Sequence, residues 1–199
     1  DPANQAFYPA NALFLFPGVD VFDGLNYFIL LHMVGACASV AMLCRRLGIG
    51  GAATVYVALT FVLSGYVLSI ADNVTYLPAA VWAPALIAAL VGDDRARVSL
   101  RELAVAAVCF ALMIVAGDPI NAAIALAVGG LMANVSHNAG GGADLGGRFV
   151  LLIAVGGIGG LLAAVQVFPA MELIELSARA TGLEYETATE LSLPPRRLI

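Results

Sequence analysis

Residues 25–44 read LNYFILLHMVGACASVAMLC, twenty positions without a charged side chain, closed by Arg45 and Arg46. A helix rises about 1.5 Å per residue, and crossing the hydrocarbon core of a bilayer takes about 20 apolar residues. This stretch predicts a spanning helix, and its basic end predicts which side that end faces.

The pattern recurs along the chain. Ile49–Ala71 and Phe149–Met171 each run 23 residues, Pro119–Ser136 runs 18, Leu77–Gly92 runs 16 and Leu103–Gly117 runs 15. The 199 residues are 61% hydrophobic and 12% charged, with a mean hydropathy of +0.94. A soluble domain is roughly half apolar and about a quarter charged, so an ordinary soluble fold is excluded. The net charge of −5 argues against a nucleic-acid partner. The expectation is an all-α, polytopic transmembrane bundle of six spanning helices plus an amphipathic surface helix. Residues 1–24 form an extracytoplasmic segment, 25–171 the membrane region and 172–199 an extracytoplasmic tail. The start at Asp1 and the end at PPRRLI read as a piece of a longer polypeptide.

Arginine orients the spans. All nine basic residues are Arg, and six of them (Arg45, Arg46, Arg95, Arg97, Arg101 and Arg148) fall in loops two crossings apart. The positive-inside rule puts those loops in the cytoplasm. The N-terminal stretch, ADNVTYLP, AGDPIN and everything after Phe168 then lie outside, giving N-out and C-out ends. The opening DPANQAFYPANALFLFP is expected at the membrane surface, its aromatics at headgroup depth, with Pro2, Pro9 and Pro17 preventing one long helix. From Pro169 to Gly182 an amphipathic helix is expected, with Glu172, Glu175 and Arg179 three and four apart.

Unusual polar residues collect on that outer side. Asp72 and Asn73 close the second run, Asp118 and Asn121 straddle a tight turn, and Gln166 precedes the end of the sixth. Each also reads as a cap or a solvated loop residue, and Asp118 before Pro119 fits a cap followed by proline at the first helical position. Together, carboxylates and amides from four segments would surround one cavity mouth, and ionisable residues at membrane depth mark function. Other signals are weaker. His32 reads as a residue bonding a neighbouring helix, GGIGG at 156–160 as close helix packing, and Cys37, Cys44 and Cys109 as small buried hydrophobes. Asn73-Val-Thr75 and Asn134-Val-Ser136 match the glycosylation sequon, a short pattern that often arises by chance, and the second falls on the expected cytoplasmic side. No HExxH or paired CxxC is present.

Five blocks in order, DPANQAFYPANALFLFP, LHMVGACASVAMLCRRLG, LSGYVLSIADNVTYLPAAVWAPALIAAL, VAGDPIN and AAVQVFPAMELIELSARATGLEYETATELSLPP, resemble the bacterial YfhO-like membrane protein family. That family is similar to the GT-C class of glycosyltransferases, polytopic helical enzymes that transfer a sugar from a polyprenyl-phosphate carrier on the outer side of the membrane. The resemblance implies a location in the bacterial inner membrane. It carries Asp1, Gln5 and Tyr8 over as the surviving motif of the first outer loop. It also shows departures: the first helix of the family and the acid after it precede Asp1, and relatives often show His where Asp118 stands.

Such a transfer needs a base for the acceptor hydroxyl and positive charge at the leaving phosphate. Asp1, Asp118 and Asp72 are the catalytic candidates. Gln5, Tyr8, Asn73, Glu172 and Arg179 are the substrate-binding ones, with Arg179 the phosphate partner or the partner of Glu172 or Glu175. Hard oxygen ligands suit Mg or Mn as cofactor, with the metal ligands unassigned. Membrane lipids, a polyprenyl-phosphate sugar and other membrane subunits are the expected partners. Two other classes stay open: a noncatalytic subunit of a larger complex, and a transporter, which favours inverted repeats and charges at mid-membrane.

Overall fold

The computed structural model describes residues 5, 7–15, 17–71, 73–92, 99–138 and 145–176, and among them every element is helical. A 3-10 helix, Pro9–Leu15, is followed by α1 (Val21–Arg46), α2 (Ala52–Val62), α3 (Gly65–Ile70), α4 (Leu77–Val91), α5 (Leu100–Val115), α6 (Pro119–Asn138), α7 (Leu145–Leu162) and α8 (Ala164–Glu175).

Local chemistry sets the boundaries. Asp20 caps α1, its Oδ1 accepting from the Asp23 amide at 2.8 Å. At the other end Gly48 turns left-handed (φ +77°), and the amides of Ile49 and Gly48 donate to the carbonyls of Cys44 and Arg45. This is the Schellman arrangement, which satisfies the last carbonyls of the helix. It recurs at the end of α5, where Gly117 (φ +94°) and Asp118 donate to Ile114 and Met113. Ser99 opens α5 with a capping box, its hydroxyl accepting from the Glu102 amide while Glu102 accepts from the Ser99 amide.

α4 is apolar on every side, and twelve of its 15 residues are buried. A helix apolar all round belongs inside. It runs through the middle of the bundle, with α1, α5 and α6 packed around it. Glycine lets neighbours approach. A Cβ on Gly129 of α6 would lie 2.5 Å from Leu90 of α4, and one on Gly159 of α7 would lie 2.8 Å from the Ala107 carbonyl of α5. The close contact expected of GGIGG is made by Gly159, while Gly157 and Gly160 face open space.

The Arg-bearing ends share one end of the bundle. Arg46 of α1 pairs with Glu102 of α5 at 3.3 Å. The C-terminal half of α6 lies beside Leu90 near the end of α4, and Arg148 of α7 donates to Ala133 O and Asn134 Oδ1 of α6 at 3.0 and 2.8 Å. Arg95 and Arg97 lie outside the described residues.

Among the described residues two helices are long and apolar enough to cross a membrane, Val21–Arg46 and Ala52–Ile70, the second broken lightly where Ser64 caps α3. A third is added if Gly146–Leu162 and Ala164–Glu175 form one span, but they meet at 72°. The uninterrupted helix expected over 149–171 is therefore two helices. The bend falls at Ala163, which is fully buried in the core, and α8 then runs through Pro169 to Glu175. Helix continues through the first part of the expected 169–182 segment to Glu175, and residues 177–182 lie outside the description.

Candidate functional site

The segment before α1 lies against the bundle. Gln5 is buried and its Nε2 donates to the carbonyl of Val74 at 2.6 Å, in the turn between α3 and α4. Its own carbonyl accepts from the amide of Tyr8 and from Asn11 Nδ2. The chain thereby turns Tyr8 inward. Phe7 and Phe14 remain exposed as a surface segment requires, whereas Tyr8 is 3% exposed. Unlike Phe7 and Phe14, Tyr8 is turned into the bundle, where its hydroxyl finds partners.

Those partners form a one-way relay. Trp82 Nε1 of α4 donates to the Tyr8 oxygen at 2.8 Å, and Tyr8 Oη lies 2.7 Å from His32 Nε2 of α1. His32 Nδ1 lies 2.7 Å from the carbonyl of Phe28. A carbonyl only accepts, so Nδ1 carries the hydrogen, Nε2 of a neutral imidazole accepts, and Tyr8 donates to it. Phe28 stacks on His32 with ring centres 4.1 Å apart, and Tyr8 meets Phe28 edge-on at 6.1 Å. Burial pushes the Tyr8 phenol up to about 12, only partly offset by the Trp82 hydrogen bond.

Beside the relay an apolar groove of about 400 Å³ opens between the N-terminal segment, α1, α4 and α5, with Ala10, Leu31, Gly35, Val81 and Leu112 in its walls. Sequence reading gave His32 a helix-bonding role without a partner and gave Trp82 none. The available signals were a lone histidine in an uncharged run and the chain's single tryptophan.

The other sequence candidates are placed as follows. Asp118 is buried and caps α6: Oδ1 accepts from the Asn121 amide at 3.1 Å, Oδ2 from Asn121 Nδ2 at 2.7 Å, and its carbonyl from Ala122. Asn73 is exposed, and its carbonyl receives the amides of Tyr76 and Leu77 at the start of α4. Glu172 is exposed on α8. Asp1, Asp72 and Arg179 lie outside the described residues. One apolar cluster, including Tyr8, Phe28, Val67, Leu77, Val115 and Ala163, draws the N-terminal segment, α3, the start of α4, the end of α5 and the α7–α8 bend to a single end of the bundle. Among the described residues, Gln5 is joined to the turn that holds Asn73, whereas no hydrogen bond or ion pair links Asp118 or Glu172 to Gln5 or Tyr8.

Among the described residues no three His, Cys, Asp or Glu side chains gather to hold a metal ion. Compared with known proteins, the chain matches no family profile, no curated protein and no solved structure.

Proposed function

We propose that the chain is the membrane-embedded part of a bacterial glycosyltransferase that takes a sugar from a polyprenyl-phosphate carrier at the outer face of the cytoplasmic membrane. In this reading it spans six times, with both ends of the sequence outside. The observation that supports it is that the N-terminal segment, the start of α4, the end of α5 and the α7–α8 bend meet in one apolar cluster at one end of the bundle, opposite the end holding Arg46, Arg101 and Arg148. Arg-rich ends favour the cytoplasm, which puts the opposite end outside.

In the transfer, a carboxylate takes the proton of the acceptor hydroxyl. The acceptor oxygen bonds to C1 of the sugar as the C1–O bond to phosphate breaks, and the electron pair leaves on the phosphate. Asp1 and Asp72 are assigned the base role, because both oxygens of Asp118 are already committed to Asn121. Arg179 is assigned to the phosphate, where a guanidinium bonds two oxygens at once.

The test is sugar transfer by the intact protein in liposomes from a labelled polyprenyl-phosphate sugar. General-base loss costs about 10²–10⁴-fold in rate, so Asp1→Asn or Asp72→Asn should lower transfer by that order with folding retained. Undiminished transfer in both variants overturns the assignment. No transfer from any polyprenyl-linked sugar favours the second reading, a noncatalytic subunit. One observation speaks for that reading: only 17% of the spanning helix Ala52–Ile70 is buried, leaving a face free for another membrane helix.

A further inference from the structure

The groove beside Tyr8 sits at hydrocarbon depth. Leu31 and Gly35 lie six and ten positions into the uncharged run that begins at Leu25, about 9 and 15 Å along a helix. Half of a bilayer core is about 15 Å. The mouth is continuous with a lipid-facing surface, since Leu31 of the wall is 52% exposed and its neighbours Leu30 and Val34 are 61% and 60% exposed.

The lining presents hydrocarbon and ring faces. Its three polar side chains, Tyr8, His32 and Trp82, are bonded to one another and to the Phe28 carbonyl, so the relay leaves no donor directed at a guest. A sugar or phosphate entering there would be stripped of water without compensation, at a cost of several kcal/mol by order of magnitude. A hydrocarbon chain loses nothing on entry. A volume of about 400 Å³ falls in the range of roughly 300–1,000 Å³ that small-ligand sites occupy.

We infer that this groove binds one acyl chain of a bilayer phospholipid, inserted sideways beneath the N-terminal segment. Phospholipid is the solvent at the mouth, and mass action favours the abundant chain over a scarce one of similar chemistry. The relay makes the site possible: it brings three polar groups into a lipid-depth wall with each one's hydrogen bonds made, and it holds the segment carrying Pro9 and Ala10 over the groove. The inference stands whether or not the chain transfers sugar.

Trp82 is the only tryptophan in the sequence and forms part of the groove wall, so its fluorescence is a contact probe. The purified full chain is placed in nanodiscs of phosphatidylcholine brominated at mid-chain. The expected result is loss of Trp82 emission relative to unbrominated discs, with recovery of emission in Ala10→Phe, whose ring fills the groove from the N-terminal side. A Trp82→Phe, Leu30→Trp protein reports lipid contact on the outer surface and should be quenched in every case. Emission from Trp82 that persists while the Leu30→Trp reporter is quenched overturns the inference. So does quenching that Ala10→Phe leaves unchanged, because the bromine then reaches Trp82 by another route. Relief of quenching by a few mole per cent of polyprenyl phosphate would also overturn it, by assigning the groove to an isoprenoid chain.

Discussion

Replacing Tyr8 with Phe tests the relay while sparing the ring. The edge contact with Phe28 survives, and only the hydroxyl goes. Two groups lose their partner: the Trp82 Nε1 donor and the His32 Nε2 acceptor. In a soluble core each such stranded group costs about 1–3 kcal/mol. Between helices in a membrane the measured couplings average only about 0.6 kcal/mol and reach about 1.7, because the unfolded chain in lipid also finds partners. The second scale governs in the membrane reading, which puts the relay at hydrocarbon depth. Two bonds then amount to about 1–3 kcal/mol, read as a lowered midpoint in detergent unfolding of the purified protein. The decisive comparison is a double-mutant cycle. In a Trp82→Phe background, Tyr8→Phe strands only His32, so its cost should fall by about 0.6–1.7 kcal/mol, the coupling of one bond. An equal cost in both backgrounds would refute the relay.

Three further outcomes follow from geometry. Gly159→Leu should destabilise by about 1–3 kcal/mol through overpacking, since its Cβ would meet Ala107 O at 2.8 Å and Phe110 Cδ1 at 2.7 Å, while Gly160→Leu, facing open space, should melt with the parent. The raised Tyr8 phenol makes stability fall at alkaline pH: the folded state keeps a proton that the unfolded state gives up, so stability present below pH 10 is lost as pH rises toward about 12, and that fall should be shallower in Tyr8→Phe. Asp118→Ala should cost about 0.5–2 kcal/mol as a lost cap, whereas Asp118→Asn, an equally good cap, should melt within a few tenths of a kcal/mol of the parent. A sugar-transfer defect in a stably folded Asp118→Asn protein would show that the acid does more than cap.

Elements governed by local chemistry were legible in the sequence. The run from Leu25 to Cys44 became the core of α1, and Gly48, Gly117 and the Asp118-Pro119 pair stop and start helices where glycine and capping residues dictate. The position of Ser64 before Gly65 also carries a cap signal, though the continuous apolar run over 49–71 hides it. What the sequence concealed depends on contacts between distant residues. Tyr8 belongs to a proline-rich stretch whose composition suits a membrane surface. It is buried because His32, 24 residues away, and Trp82, 74 residues away, meet its hydroxyl. The bend at Ala163 is concealed for the same reason: alanine favours helix, and the break accompanies the burial of Ala163 in the core.

The polar residues at the end of the bundle away from Arg46 and Arg148 divide by what already holds them. A general base must be free to take a proton at the moment of reaction. Asp118 has both oxygens held by its own helix, Tyr8 is committed at donor and acceptor, and the Gln5 amide is spent on Val74. Their bonds fix the shape of that end, which makes them positioning groups under the transferase reading. The Gln5 bond has the widest consequence, because it joins Gln5 to the turn holding Val74, and the transferase reading takes its two candidate bases, Asp1 and Asp72, from the stretches on either side of that bond. Gln5→Ala should therefore resemble Asp1→Asn and Asp72→Asn in lowering transfer, though by weakening the alignment of the two stretches and leaving both carboxylates in place. Gln5→Glu separates alignment from side-chain bulk. It keeps the length and, when ionised, removes the donor, so it should fail as Gln5→Ala does; full transfer by Gln5→Glu would show that the bond to Val74 aligns nothing.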